Sequence, residues 1–371
     1  MKTEAYVLQE KDAPFVLQEV ELDEPLPNEL LIEIVACGLC HTDLCIQNGA
    51  FPSPFPALTG HEGSGRVLQV GSAVTRAQVG DEVLLSFSSC GQCGLCKTDH
   101  PAACEKFAEY NFGRIRSHDC SKAAAKCNQG KDVHGTFFGQ AAFGRHALVV
   151  ERSVVKVPKG SDLKALAPLG CGLQTGAGGI LNVLKPAKTD TVLITGLGAV
   201  GMGALFAAVA LGVERIIVVD VVDSRLEQAL SLGATHAFNG KTHNVVAQVK
   251  KVSAYGLGAT KTLEATGVVS VLKTAYDATA PRGHVCSCGT PGPGNQVPID
   301  IFENVCNSKT YSGCCEGDSN PPEFIPKLID MYQKGQFPVD KISKLYDYKD
   351  LDKAVHDMHT GAIIKPVIVF N

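Results

Sequence analysis

The sequence lacks several features that would assign it to a particular class of protein. No uncharged apolar run approaches the roughly 18 residues that span a bilayer as a helix, and the first residues, MKTEAYVLQEKDAPF, lack the apolar core of a signal peptide. The net charge is −4, so the basic excess typical of nucleic-acid-binding proteins is missing. Internal repeats and low-complexity linkers are missing too. These absences predict a cytoplasmic globular protein that binds neither membranes nor nucleic acids.

Cysteine, by contrast, is abundant, with 15 among 371 residues. Reducing conditions oppose disulfides, so we interpret these residues as free thiols and metal ligands. Four of them form the stretch CGQCGLCKTDHPAAC, with the spacing Cys-x2-Cys-x2-Cys-x7-Cys. Four thiolates at this spacing can hold one tetrahedral Zn²⁺ with no position left for water or substrate, which predicts a structural zinc site. Its ligands would be Cys90, Cys93, Cys96 and Cys104. The alternative is a loop of unpaired or disulfide-bonded cysteines.

The pattern of apolar residues changes along the chain and predicts two kinds of domain in an α/β protein. Up to about residue 170, short strands such as LLIEIVACG, GRVLQVG and DEVLLSFS alternate with Gly and Pro turns, which indicates a β-rich, barrel-like domain. From about residue 175, strands and helices alternate, as in TVLITG, AVGMGALFAAVALG and ERIIVVD, which indicates a doubly wound parallel sheet. Isolated helices and a strand, KPVIVF, follow beyond about residue 315. The polar, Gly-rich stretch 113–144 is expected to be a surface insertion or a loop over a site.

A glycine motif between the first predicted strand and helix of the parallel sheet indicates a dinucleotide site. Gly196 permits a tight turn, Gly198 lets the backbone approach a pyrophosphate, and Gly201 lets helix and strand pack closely. Asp220 closes the next strand, where a carboxylate binds ribose hydroxyls and repels a 2′-phosphate. NAD is therefore favoured over NADP, although Arg225 keeps NADP open. The alternative is that the glycines serve helix–sheet packing only.

These motifs together resemble the zinc-dependent medium-chain alcohol dehydrogenases over essentially the whole chain. The resemblance rests on Gly60-His61-Glu62-x2-Gly65-x5-Gly71, on the four-cysteine lobe at 90–104, and on the glycine motif, in the family's own order. It implies a GroES-like catalytic domain (1–173), a Rossmann cofactor domain (174–315) and a return to the catalytic domain (316–371). Within the family, the chain is most similar to the aryl-alcohol (benzyl-alcohol) dehydrogenases.

The resemblance also implies a second, catalytic zinc. Cys40, His61 and Cys171 match its three protein ligands, and Glu62 matches a glutamate that approaches the metal. Asp43 matches the carboxylate that orients the histidine. Taken without the family, Cys171 would be interpreted as a buried structural thiol. Further matches at cofactor-binding positions are His41, Thr175, Ala199, Val200 and Lys365.

Proton transfer is the point at which this sequence departs from the family. Thr42 matches the hydroxyl that relays the substrate proton, but Cys45 stands where other members place a histidine. A thiol is a poor base near neutral pH. Either His41 substitutes for that histidine, or the cofactor ribose releases the proton directly to water.

The predicted activity is reversible hydride transfer between NAD(H) and a primary aryl, allylic or similar alcohol or aldehyde, in a homodimer or homotetramer. Phe87 and the run 137–143 could line a pocket for a planar substrate or could pack the core. Cys120 and Cys127, in the unusual stretch 117–133, suggest a substrate other than benzyl alcohol. One alternative is a specialised secondary-metabolite aldehyde reduced with NADPH. Others are an inactive structural protein, a nucleotide sensor and a non-redox lyase.

Overall fold

The computed structural model describes residues 1–121, 123–127 and 130–370. The strands in these ranges are β1 (Lys2–Leu8), β2 (Phe15–Leu22), β3 (Glu29–Gly38), β4 (Ala57–Leu58), β5 (Gly63–Val70), β6 (Glu82–Leu85), β7 (Ala123–Cys127), β8 (Asp132–His134), β9 (His146–Val150), β10 (Val154–Lys156), β11 (Thr191–Thr195), β12 (Arg215–Asp220), β13 (His236–Asn239), β14 (Ala259–Glu264), β15 (Thr279–Ser287), β16 (Thr310–Gly313), β17 (Ser343–Asp347) and β18 (Lys365–Val369). The α-helices are α1 (His41–Gln47), α2 (Gly94–Lys97), α3 (Phe107–Phe112), α4 (Leu163–Leu166), α5 (Gly172–Gly178), α6 (Ala199–Ala210), α7 (Asp223–Ser231), α8 (Val245–Val252), α9 (Val269–Asp277), α10 (Ile301–Asn307), α11 (Pro321–Gln333) and α12 (Leu351–His359).

The chain divides into two compact units, and the first is β-rich. It comprises Met1–Cys171, Asn320–Ile329 and Val339–Asn371. The strands β1-β2-β7-β8-β4 close a barrel, and a second sheet has the order β10-β6-β5-β3-β18-β17, with β9 also paired to β3. The central strand β3 is buried at almost every position, which explains its nearly continuous apolar sequence. The predicted barrel-like domain is therefore present.

The segment 113–144 is not simply an insertion or a loop. It contributes β7 and β8 to the closed barrel, where β7 pairs with β2 and β8 pairs with β4. Arg116 anchors it: Nε lies 3.0 Å from Oε1 of the buried Glu29, and Nη1 lies 3.0 Å from Asp23 Oδ2. Short strands of small and polar residues carry too little apolar periodicity to be recognised in a sequence.

The second unit contains the parallel sheet. It comprises Gly172–Ser319 and Asp330–Pro338, and its strand order is β13-β12-β11-β14-β15-β16 with parallel pairing throughout. This is the doubly wound order expected for a dinucleotide-binding fold. The sequence-based boundaries at 173 and 316 stay a prediction, and Asp330–Pro338 pack with this second unit.

None of the helices in the described part of the chain has the length and apolar content needed to cross a bilayer.

Candidate active site

Four residues of the first unit bring metal-ligating atoms together. The sulfur atoms of Cys40 and Cys171, a ring nitrogen of His61 and a carboxylate oxygen of Glu62 all lie within 4.8 Å of one another. Cys40 immediately precedes α1, His61 and Glu62 precede β5, and Cys171 ends the first segment of the unit. The hydrogen bond with Cys171, helped by the charge of His61, holds the pKa of Cys40 well below its usual range. This donor set suits zinc, which takes thiolate and imidazole ligands.

Asp43 fixes the orientation of the His61 ring. Its Oδ1 lies 3.1 Å from His61 Nδ1 and accepts the Gly60 N–H at 3.0 Å, while Oδ2 accepts the Cys40 N–H at 3.1 Å. Burial alone would lower the pKa of His61, but the negative charges of Asp43 and Cys40 outweigh burial and raise it. The other ring nitrogen, Nε2, is buried without a hydrogen-bond partner among the described residues. A metal ion would satisfy this orphaned nitrogen, so the residues present fit zinc.

Two further residues hold His61, and the sequence analysis did not identify their roles. The Phe138 ring stacks on the imidazole with centroids 4.6 Å apart. Gln140 is buried; its Nε2 donates to the carbonyls of His61 (2.8 Å) and Ser86 (3.1 Å), and its Oε1 accepts the Gly63 N–H at 3.1 Å. The sequence did contain a signal for the role of Gln140, which is the single polar residue in the run FFGQAAF. A buried side-chain amide needs hydrogen-bond partners.

Glu62 is bound by Lys365. The Lys365 Nζ lies 2.9 and 2.8 Å from the two carboxylate oxygens and 3.0 Å from the carbonyl oxygen of Leu39. Burial opposes the charge on Lys365, but the Glu62 carboxylate outweighs it and raises the pKa of the ammonium group. A Cβ on Gly38 would lie 2.0 Å from Glu62 Oε2, so only glycine leaves room for this carboxylate. The structure directs Lys365 to Glu62, and its contact with a cofactor stays a prediction.

The residues of the predicted proton relay lie at the start of α1. The hydroxyl of Thr42 is 3.6 Å from Cys40 Sγ, next to the metal-ligand cluster. His41 is exposed, and Cys45 is half-buried one helical turn later. Burial raises the pKa of the Cys45 thiol, which keeps it protonated near neutral pH. That Cys45 does not act as the base of the relay stays a prediction.

The four cysteines of the 90–104 lobe also converge. Their sulfur atoms lie within 4.8 Å of one another, and those of Cys90 and Cys96 are 3.8 Å apart. Backbone N–H groups donate to the sulfurs. The Cys93 nitrogen lies 3.3 Å from Cys90 Sγ, and the Lys106 nitrogen lies 3.4 Å from Cys104 Sγ. Hydrogen bonds from the N–H groups of Cys96 and Glu105 lower the pKa of Cys93 to about 6. Four converging sulfurs with no position left for water fit a closed zinc site.

The glycine motif of the second unit has the backbone expected of a dinucleotide site. Gly196 has a left-handed φ of +86°, and a Cβ on Gly201 would lie 1.8 Å from the carbonyl oxygen of Gly196. A Cβ on Gly198 would meet nothing within 4 Å, so the protein itself does not require glycine there. Gly198 is the N-cap of α6, and Ala199 and Val200 form its half-buried first turn. The open position leaves room at the helix N-terminus, where phosphates bind in this kind of fold, and a cofactor contact of Gly198 stays a prediction.

Asp220, Arg225 and Thr175 belong to the same unit. Asp220 ends β12, and its carboxylate accepts the N–H groups of Leu197 (2.6 Å) and Val221 (2.7 Å). Arg225 lies half-buried in α7, with its Nε lacking a hydrogen-bond partner among the described residues. Thr175 is buried in α5. The first two residues therefore lie at the carboxyl end of the sheet, where dinucleotides bind this fold.

Comparison with known proteins identifies the family. Residues 26–159 match the alcohol dehydrogenase GroES-like domain and residues 199–334 match the zinc-binding dehydrogenase family. The chain is 39% identical to geraniol dehydrogenase of Castellaniella defragrans, covering 100% of this chain and 98% of that protein. Benzyl alcohol dehydrogenase from Acinetobacter calcoaceticus has the same fold, with a TM-score of 0.93, 39% identity and full coverage of both chains.

An alcohol dehydrogenase zinc-binding domain protein from Burkholderia ambifaria is also similar, with a TM-score of 0.96 and 38% identity over 100% of this chain and 99% of that one. The predicted family and α/β fold are thus confirmed, and with them the prediction of an enzyme. The chain belongs to the zinc-binding medium-chain alcohol dehydrogenases and is an oxidoreductase.

Proposed function

We propose that this enzyme catalyses reversible hydride transfer between NAD(H) and a primary aryl or allylic alcohol or its aldehyde. The main observation is that Cys40, His61 and Cys171 bring metal-ligating atoms together and that His61 Nε2 is buried without a hydrogen-bond partner among the described residues. The chain is also similar over its length to geraniol and benzyl alcohol dehydrogenases. An inactive structural protein or a sensor has no need to keep this set together.

The three residues Cys40, His61 and Cys171 would hold the catalytic zinc. When bound, zinc acts as a Lewis acid that lowers the pKa of the substrate hydroxyl. Lys365 holds both oxygens of Glu62, which keeps that carboxylate from serving as a permanent fourth ligand. Three protein ligands with an open position are typical of catalytic zinc.

Thr42 would accept the proton of the substrate hydroxyl, because its own hydroxyl lies next to Cys40. The proton then leaves either through His41, which is exposed to solvent, or through the cofactor ribose. Cys45 takes no part, since burial raises the pKa of its thiol.

NAD is the proposed cofactor rather than NADP. The Asp220 carboxylate is held by the Leu197 N–H of the glycine loop, so a 2′-phosphate there would face a fixed negative charge. Asp220→Gly should raise the ratio of kcat/KM for NADP to that for NAD, with Arg225 then available to pair with the phosphate. A wild-type enzyme that already prefers NADPH would contradict this assignment and favour the alternative of a specialised aldehyde reduced with NADPH.

The similarity to geraniol and benzyl alcohol dehydrogenases supports a planar or unsaturated substrate. Phe137 and Phe138 both lie against His61, at centroid distances of 5.1 and 4.6 Å, whereas Phe143 packs on Phe15 and Phe87 on Phe107. Phe137 and Phe138 are also buried in the core, so we propose that this pair influences substrate choice only through the position of the His61 ring. The test is NADH formation with benzyl alcohol, geraniol and ethanol. Ethanol turned over as well as the other two would contradict the proposed class.

Zinc content distinguishes the two metal sites. Cys171→Ser should lose one zinc and all turnover while the protein stays folded. Cys104→Ser should also lose one zinc but should mainly destabilise the fold, because binding of structural zinc contributes on the order of 10 kcal/mol in zinc-finger peptides. Metal analysis and thermal unfolding of both variants check this. If either variant keeps the wild-type zinc content, the cysteine that it replaces is not a zinc ligand.

We further propose a homo-oligomer in the cytoplasm. The strand β16 pairs with β15 only, among the described strands, and beside it α10 exposes Ile301 (72%), Phe302 (79%) and Val305 (68%). An open strand edge next to exposed apolar side chains suits pairing with a second copy. All 15 cysteines are free thiols in the structure, which suits a reducing compartment.

A further inference from the structure

A third group of thiols lies in the second unit, apart from both proposed zinc sites. The sulfur atoms of Cys286, Cys288 and Cys314 all lie within 4.8 Å of one another. We call these three residues the trithiol cluster. Cys286 and Cys314 are buried, and Cys288 is half-buried. The proposed hydride transfer uses none of them.

The sheet geometry brings the three side chains together. Cys286 lies in β15 and Cys288 directly follows that strand, two positions later, so both side chains project from the same face of the sheet. The neighbouring β16 runs parallel, with Ser312 beside Cys286. The chain then continues to Cys314, whose N–H donates to the Ser287 carbonyl at 2.9 Å. That hydrogen bond holds Cys314 next to Cys288.

The cluster has polar neighbours and one half-buried thiol. His284 precedes Cys286 by two positions in β15, and its Nε2 lies 2.7 Å from the Ser312 hydroxyl. Of the three thiols, that of Cys288 is half-buried and the other two are buried, so an ion would reach the cluster at Cys288.

We propose that the trithiol cluster binds one thiophilic cation, such as Zn²⁺ or Cd²⁺, in addition to the two zinc ions of the family. Three sulfurs bound to one ion at about 2.3 Å are separated by about 4 Å, which the observed spacing allows. All three sulfurs bind as thiolates, so binding releases each proton that a sulfur still carries to solvent. No oxidant or reductant is needed.

A disulfide is the competing chemistry, and the geometry disfavours it for one pair. Two residues apart on a strand, the Cα atoms of Cys286 and Cys288 are separated by about 6.6 Å, near the upper limit for a disulfide. A bridge between Cys288 and Cys314 would leave Cys286 alone. One ion uses all three thiols, which is why metal binding is the inference drawn.

The test is the number of zinc ions per chain in the fully reduced holoenzyme after dialysis against micromolar Zn²⁺. The wild-type protein should hold one ion more than Cys288→Ser, which removes the half-buried thiol with little risk to folding. Cys314→Ser should lose the same ion. The matched control is Cys306→Ser, an exposed cysteine of α10 in the same unit, which should keep the full number.

A second readout uses Cd²⁺, whose thiolate complexes absorb in the ultraviolet. In a titration with Cd²⁺, wild type and Cys306→Ser should bind one more equivalent than Cys288→Ser at low Cd²⁺ concentration. Cys288→Ser should bind that equivalent at least tenfold more weakly. Equal zinc numbers in wild type and Cys288→Ser would overturn the proposal, as would a Cys288–Cys314 disulfide found in the protein as purified, before reduction. The result is independent of the proposed function, because loss of turnover in Cys171→Ser does not alter the count at the trithiol cluster.

Discussion

At the scale of single residues, the buried pair of Glu62 and Lys365 joins parts of the chain that are 303 positions apart. Lys365→Met should destabilise the protein by about 3–5 kcal/mol, because it leaves the Glu62 carboxylate buried without its cation. The free energy of unfolding in denaturant measures this. Lys344→Met is the matched control, since Lys344 pairs with Asp357 at the surface and its loss should cost at most about 1 kcal/mol. Equal losses in the two variants would contradict the role given to the buried pair.

The proton relay gives a second prediction at this scale. Thr42→Val should abolish most turnover, because it removes the hydroxyl beside Cys40. Cys45→His should raise kcat near neutral pH if proton release limits the rate, since positioned acid–base groups contribute about 10²–10⁴-fold.

His41→Gln distinguishes proton release through His41 from proton release through the cofactor ribose. A rate that becomes strongly dependent on buffer identifies His41 as the base, and a higher KM for cofactor alone identifies it as a phosphate contact.

Individual residues also mark the limit of what the sequence predicts. The resemblance to the family was enough to propose Cys40, His61 and Cys171 together, whereas the spacing of these residues alone was not. Two other contacts join residues that are far apart in the sequence. Gln140 accepts the Gly63 N–H across 77 positions, and Lys365 pairs with Glu62 across 303 positions. No local pattern encodes contacts of that range.

At the scale of elements, the turn from β11 into α6 separates two roles of glycine. Gly201→Ala should lower the melting temperature, because its Cβ would meet the Gly196 carbonyl at 1.8 Å. Gly198→Ala should leave the melting temperature unchanged, since nothing lies within 4 Å, but should weaken NAD binding. Thermal unfolding and cofactor titration of both variants check this. Unchanged NAD affinity in Gly198→Ala would indicate that no phosphate approaches this turn.

The elements themselves were largely predictable. TVLITG, AVGMGALFAAVALG and ERIIVVD became β11, α6 and β12, and KPVIVF became β18, because buried parallel strands and an apolar helix have long apolar runs. The short strands β7 and β8 were missed in the stretch 113–144. Their residues are mostly small or polar, and they are strands because β2 and β4 supply partners.

At the scale of the whole molecule, the exposed apolar face of α10 gives a prediction on assembly. Phe302→Asp should shift the protein toward the monomer, because a charge would replace the most exposed of the large apolar side chains on that helix. Sedimentation velocity measures the change. Tyr255→Asp is the control, as Tyr255 is a similarly exposed aromatic residue that belongs to neither β16 nor α10. A wild-type protein that is monomeric at micromolar concentration would contradict the proposed oligomer.

The position of β18 has a consequence for the order in which the protein matures during synthesis. This strand pairs with β3 and carries Lys365, the partner of Glu62. Cys40, His61 and Cys171 all emerge from the ribosome before β18, yet β3 lacks this neighbour and Glu62 lacks its cation until residue 365 is made. Because domains generally fold as units during translation, we infer that the second unit can fold while the ribosome is still extending the chain, whereas the first unit is completed only when translation reaches β18.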